Sequence, residues 1–190
     1  MINVGFTIIA GKSKWMGGIN YLRNLLFAIS QLENRNIQPI LIVGNKVDEK
    51  ILKQFEGLAI IKRNHLFDRL SIPWIIDVLL RDIFGINPLV NKIVKKYQLT
   101  AFSHSYIYGW DLNCKTINWI PDFQHTRLPH MFKPINRWVR NFRVRRMIRW
   151  SNHIILSSYD ALNDYKTFEP KYINKASVIH FVTQTTLTDI

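Results

Sequence analysis

Cysteine occurs once in 190 residues, at Cys114. That excludes an intramolecular disulfide and any cysteine-rich metal site, and it fits a reducing compartment. No run approaches the roughly 20 apolar residues of a membrane-spanning helix. The longest apolar stretch near the middle, SIPWIIDVLLRDIF, is interrupted by Asp77, Arg81 and Asp82. The start, MINVGFTIIA, has neither the charged opening nor the long apolar core of a signal peptide. The glycine pair of WMGGINY has neither the GxGxxG spacing nor a closing GK[ST], so it is neither of the two commonest nucleotide loops. Internal repeats and low-complexity tracts are also missing. Acidic residues are scarce, 13 against 26 Lys and Arg, leaving a net charge of +13.

What is present is a core. Hydrophobic residues make up 47% of the chain, enough for one well-cored domain or a cramped pair. The basic excess implies an anionic partner: nucleic acid, a phosphorylated ligand or an acidic membrane surface. It is concentrated in KPINRWVRNFRVRRMIR, residues 133 to 149, with seven basic residues and no acid.

Hydrophobic patterning places strands at Asn3 to Ala10, IQPILIVG, LAIIKR, Thr100 to Ser103, Thr116 to Ile120, HIILSS and ASVIHFV. Most are apolar throughout, as strands covered on both faces should be. Helices are expected over INYLRNLLFAISQLE, Lys50 to Phe55, most of residues 64 to 98, Pro134 to Arg149, and YDALNDYKTF. In the first of these, Leu22, Leu25, Leu26, Ile29 and Leu32 form one stripe. The alternation predicts an α/β fold: a Rossmann-like parallel sheet with helices on both faces, occupying residues 1–182. Residues 183–190 read as the start of a polar linker.

Gly17 and Gly18 stand between a first strand and a helix start. That is a phosphate-site geometry, because glycine lets backbone N–H groups approach an anion; a tight turn is the plainer alternative. In INWIPDFQHTRLPHMF, residues 117 to 132, a strand ends at Pro121 and polar groups crowd in among aromatics. Asp122 can hold a hydroxyl, and His125 titrates near neutrality. The alternative is an Asx turn at Asp122 with His125 solvated. His104, in FSHS, also ends a strand and is either a ligand group or structural. On the basic helix Ile135, Trp138, Val139 and Phe142 share one side, while Val144, Met147 and Ile148 point elsewhere. That pattern predicts packing on two neighbours with arginines between.

WIPDFQH with LP close behind resembles the signature of a bacterial branch of the family 4 (group 1) glycosyltransferases. GGxxYxxNLL, residues 17 to 26, resembles that family's first glycine loop and helix. IILSSYDALNDYKTFEP with KASVIHFV resembles the segment closing its N-terminal domain. The resemblance implies the N-terminal, acceptor-side half of a GT-B fold, in a retaining enzyme that moves a sugar from a nucleotide sugar to a polysaccharide or lipid-linked acceptor. It implies no cofactor and no metal, with Asp122 and His125 as catalytic residues. Gly17, Gly18, Tyr21, Asn24, His104, Gln124 and Arg127 would bind substrate. The family's usual histidine before the acid is replaced by Pro121. Its donor-binding half has no counterpart in these residues, so the chain is expected to be a fragment or one subunit of a split enzyme, cytoplasmic and peripheral at the inner membrane face. The alternative is a non-catalytic module binding an anionic membrane, or less plausibly nucleic acid, through residues 133–149.

Overall fold

A computed structural model describes residues 1–9, 16–104 and 107–180. Strand β1 (Ile2–Ile8) leads to α1 (Met16–Ser30), β2 (Ile37–Val43), the short α2 (Glu49–Leu52) and β3 (Ile60–Arg63). Two helices, α3 (Ile72–Phe84) and α4 (Pro88–Lys96), precede β4 (Ala101–Ser103) and β5 (Lys115–Ile120). Then come the one-turn α5 (Gln124–Arg127), α6 (Pro134–Trp150), β6 (His153–Leu156), α7 (Tyr159–Phe168) and β7 (Ala176–Val178). The seven strands form one sheet in the order β3-β2-β1-β4-β5-β6-β7, and every pairing is parallel. This is the α/β, Rossmann-like architecture that the alternation predicts.

Period-two alternation sends neighbouring residues of β2 to opposite faces. Leu41 and Val43 join Phe6, Leu26 and Phe55 in one core, whereas Ile40 and Ile42 join Phe67, Val90, Val94 and Phe102 in another. A third core, under α6 and α7, holds Ile120, Ile148, Ile154, Leu156 and Tyr165. Each fully buried side chain of this size contributes about 1.5–3 kcal/mol, so three such clusters fix the helices on both faces.

Capping sets the boundaries. Ser71 Oγ accepts from Trp74 N at 3.2 Å to start α3, and Gly85 ends it at φ +78°, a left-handed position that glycine adopts without strain. Ser158 Oγ accepts from Ala161 N at 3.1 Å to start α7. The chain after β4 returns tightly against α3: a Cβ on Gly109 would lie 2.0 Å from the Gly85 carbonyl oxygen. Asn87 secures that crossing, donating to buried Asp77 Oδ2 at 2.9 Å and accepting from Gly109 N.

Two sequence expectations change. α1 ends at Ser30, so Leu32 falls outside the helix and is exposed. Only the second half of α6 packs: Val144, Met147 and Ile148 meet the third core, but Ile135, Trp138 and Phe142 face solvent. The expected domain boundary at 182/183 lies outside the described residues.

Candidate active site at the carboxyl edge of the sheet

β1 is followed in space by β2 on one side and β4 on the other. Chain direction across the sheet therefore reverses between β1 and β4, and open α/β sheets bind ligands outside the carboxyl ends at such a switch point. The register makes a notch there. Gly5 pairs with Phe102, so Ser103 is level with Phe6 while β1 continues to Ile8. Ser103 also pairs with Ile117, and β5 continues to Ile120. β4 thus stops two residues short of one neighbour and three short of the other, roughly 7 and 10 Å.

His104 floors this notch. Its φ is +60°, a left-handed backbone uncommon outside glycine and concentrated at functional sites. The conformation is held by its own N–H, which donates to the Ile117 carbonyl at 2.9 Å. Nε2 lies 3.0 Å from the Tyr21 hydroxyl, and Nδ1 is in contact with Ser103 Oγ. The Tyr21 ring stacks on Trp119, centroids 4.2 Å apart and 9° from parallel. Burial pushes the His104 pKa down to about 4 and the Tyr21 hydroxyl up to about 12. At neutral pH both are uncharged, and two proton arrangements are open. Either Tyr21 donates to Nε2 while Nδ1–H donates to Ser103, or Ser103 donates to Nδ1 while Nε2–H donates to Tyr21. The two differ only in which ring nitrogen of the neutral imidazole carries the hydrogen; Tyr21 and Ser103 keep their own protons in both.

The α1 N-terminus opens at the same edge. Gly17 and Gly18 are helical, inside the first turn, rather than a tight turn. Among the described residues, a Cβ built on Gly17 would meet no atom within 4 Å. The packing therefore makes no demand for glycine there, and an interior helical glycine costs about 1 kcal/mol against alanine. Asn24 lies further along α1, half-buried.

The PDFQH segment divides. Asp122 Oδ1 accepts from Gln124 N at 3.1 Å, the Asx turn that starts α5. Asp122, Gln124 and Arg127 line a separate depression of about 310 Å³ with Ser158, Asp160 and Asp164. Arg127 Nε donates to Asp164 Oδ1 at 2.7 Å. His125 is neither solvated nor on an open face, which corrects its expected place in the cleft. It is buried, its ring 6.2 Å from Phe123 and 6.0 Å from Phe168, centroid to centroid. Among the described residues neither of its nitrogens makes a well-formed hydrogen bond, although the Asn141 side chain stands close to the ring. Burial first, then the Arg140 charge, lowers its pKa and keeps it neutral. The cause is local: Phe123 turns into the third core at Pro121, and His125, two residues on, follows it under α7.

Two larger cavities, of about 480 and 500 Å³, sit at the amino ends of β4 to β6 and beside α4. Their volume is less telling than their place, since the carboxyl edge is where such sheets present ligands. Reading the sequence missed Ser103 and Trp119. Ser103 stood in plain view in FSHS, and Trp119 was absorbed into a strand whose apolar character hid which face it takes.

Fold and edge together define a Rossmann-like domain with a notch at its switch point. No protein-family profile matches the sequence, and no curated protein matches it. Solved structures do share its fold. Staphylococcus aureus MnaA, solved with UDP, superposes at a TM-score of 0.58 and 12% identity over 94% of this chain and 43% of its own. The lipopolysaccharide outer core galactosyltransferase WaaB, in its apo form, gives 0.58 and 10% over 98% and 47%. The chain shares the fold of these two structures and spans less than half the length of either.

Proposed function

We propose that this chain is the acceptor-side half of a retaining GT-B glycosyltransferase, which moves a sugar from a nucleoside diphosphate sugar to a polysaccharide or lipid-linked acceptor. The observation that supports it most is the notch at the switch point, floored by a strained, neutral histidine hydrogen-bonded to a tyrosine. The fold shared with a galactosyltransferase and with a UDP-bound protein supports the same reading.

In this reading the acceptor hydroxyl enters the notch against Tyr21 and His104, with the Trp119 ring as one wall. With Nδ1–H donated to Ser103, the Nε2 lone pair would accept from that hydroxyl in exchange for the Tyr21 hydroxyl and so fix its direction. Gly17 leaves room for the donor diphosphate to approach the free N–H groups of α1, where the helix dipole favours negative charge. Asp122, Gln124 and Arg127 stand further out on the rim, where they would meet the acceptor's remoter sugars. His125 supports the loop from beneath. Charge on the leaving diphosphate needs partners beyond the first turn of one helix, so a donor-side half, in the same or a second chain, completes the reaction.

The test is transfer from radiolabelled UDP-hexoses to lipid-linked acceptors by this chain alone and together with a donor-side half. Transfer only by the pair is expected. Turnover by the 190-residue chain alone, above a heat-killed control, would overturn the division of labour.

A further inference from the structure

Helix α3 is built inside out. Ile72, Ile75, Ile76, Leu79 and Ile83 follow the i, i+3, i+4, i+7 spacing of a single stripe, which a globular helix normally turns to the core. Here that stripe faces outward, each residue between 41% and 74% exposed, while Asp77 at 2% and Arg81 at 7% point inward. Polar partners fix the helix this way round. Asp77 accepts from Asn87, and Arg81 Nη1 donates to the Ile107 carbonyl at 3.2 Å. Rotating the stripe into the core would strand both charges.

The exposed face continues onto α6. Arg146 donates to the carbonyls of Arg81 and Asp82 at 2.7 and 2.8 Å, clamping α6 against the last turn of α3. The same guanidinium lies over the Phe142 ring at 5.1 Å. Phe142 stacks on Trp138, itself 65% exposed, at 6.0 Å between centroids. Exposed Arg149, seven residues on from Phe142, falls on the side of these rings, Arg143 is exposed beside it, and the helix has no acid between residues 133 and 149. Soluble proteins seldom leave such a contiguous apolar face in water. An aliphatic stripe, exposed aromatics and a one-signed rim of arginines match the layers of an anionic bilayer: acyl chains, interface, headgroups. Among the described residues no helix is long and apolar enough to cross a membrane, so the contact would lie in the surface plane.

We propose that the joined outer faces of α3 and α6 dock this protein on an anionic membrane surface, with the α3 stripe entering the acyl boundary and the α6 arginines holding phosphate headgroups. This stands apart from the glycosyltransferase reading, and its test involves no sugar chemistry. The 190-residue chain is floated with phosphatidylcholine vesicles, with and without phosphatidylglycerol. Two variants accompany it, Ile76→Ser/Leu79→Ser and Arg143→Gln/Arg149→Gln; all four positions are exposed, and thermal melting checks that the fold is kept. Binding is expected with phosphatidylglycerol and to be weak without it. At about 1 kcal/mol per basic residue, removing two arginines should weaken partition roughly 30-fold. High salt should abolish that difference and leave a residual binding that the serine variant loses. Equal binding to both vesicles would overturn the proposal, as would indifference to both variants. Absent vesicle binding with a concentration-dependent dimer would also overturn it, assigning the face to a second copy of the chain.

Discussion

Two groups of polar side chains stand at the carboxyl edge of the sheet, and they are made in different ways. Asp122, Gln124, His125 and Arg127 are neighbours in sequence; folding spends them on an Asx turn, a buried ring and an ion pair with Asp164. Tyr21, Ser103, His104 and Trp119 come from three separate segments, and folding gathers them around one strained residue in a recess. The first group satisfies itself locally. The second leaves ring faces and a neutral imidazole at the place where such sheets bind ligands.

That contrast can be broken most severely at His125. His125→Ala should empty an aromatic-sized space in the third core and destabilise the fold by about 3–4 kcal/mol, while molecules still folded, paired with a donor-side half, transfer sugar at near-normal rates. Denaturant melts beside rates per folded molecule check this. Loss of rate without loss of stability would return His125 to the chemistry.

The next effect is an acid limb. His104 binds a proton near pH 6.5 when unfolded but only near 4 when folded. The unfolded state therefore holds more protons between those values, and stability falls as pH drops through that window, by about 3 kcal/mol in full. His125, whose pKa is lowered too, adds to the same slope. Asp77 runs the other way: burial raises its pKa from 3.8 to about 6, so its charge costs stability as pH rises through that range. Asp77→Asn should stabilise by about 1–3 kcal/mol at pH 7, lose that gain by pH 4, and leave a steeper acid limb. His104→Asn, which tolerates the left-handed backbone, should flatten the limb. Chemical denaturation from pH 4 to 8 for the three proteins checks all of these signs.

Smaller still is Gly17→Ala. It should stabilise the chain by about 1 kcal/mol through helix propensity, yet weaken nucleotide-sugar binding in the completed enzyme. A gain in both would show that no diphosphate approaches Gly17. The smallest effect belongs to Arg127→Ala: solvent screens its half-exposed ion pair with Asp164, so the melting temperature should scarcely move.

Much of this fold was legible in the sequence. The continuous apolar strands and the stripe of α1 need only local periodicity, and each of the seven strands overlaps the stretch it marked. The face of α3 was not legible: its stripe is plain, but the partners that turn it outward, Asn87 and the Ile107 carbonyl, come from elsewhere in the chain. For the same reason Trp138 and Phe142 looked like packing residues, since periodicity shows that residues share a side and not what lies opposite. The site was half legible. Tyr21 and His104 were each named, but their pairing across 83 residues depends on the β1–β4 register, and Ser103 and Trp119 enter only through it.

The central claim is that Tyr21 and His104 act as one unit on one hydroxyl. Transfer rates for Tyr21→Phe, His104→Asn and the double variant in the completed enzyme test it most directly. The account predicts a loss of about 10²-fold or more for His104→Asn, and a double variant little worse than that single, because the two share one task. Losses that multiply, or a His104→Asn enzyme as fast as its parent, would contradict it.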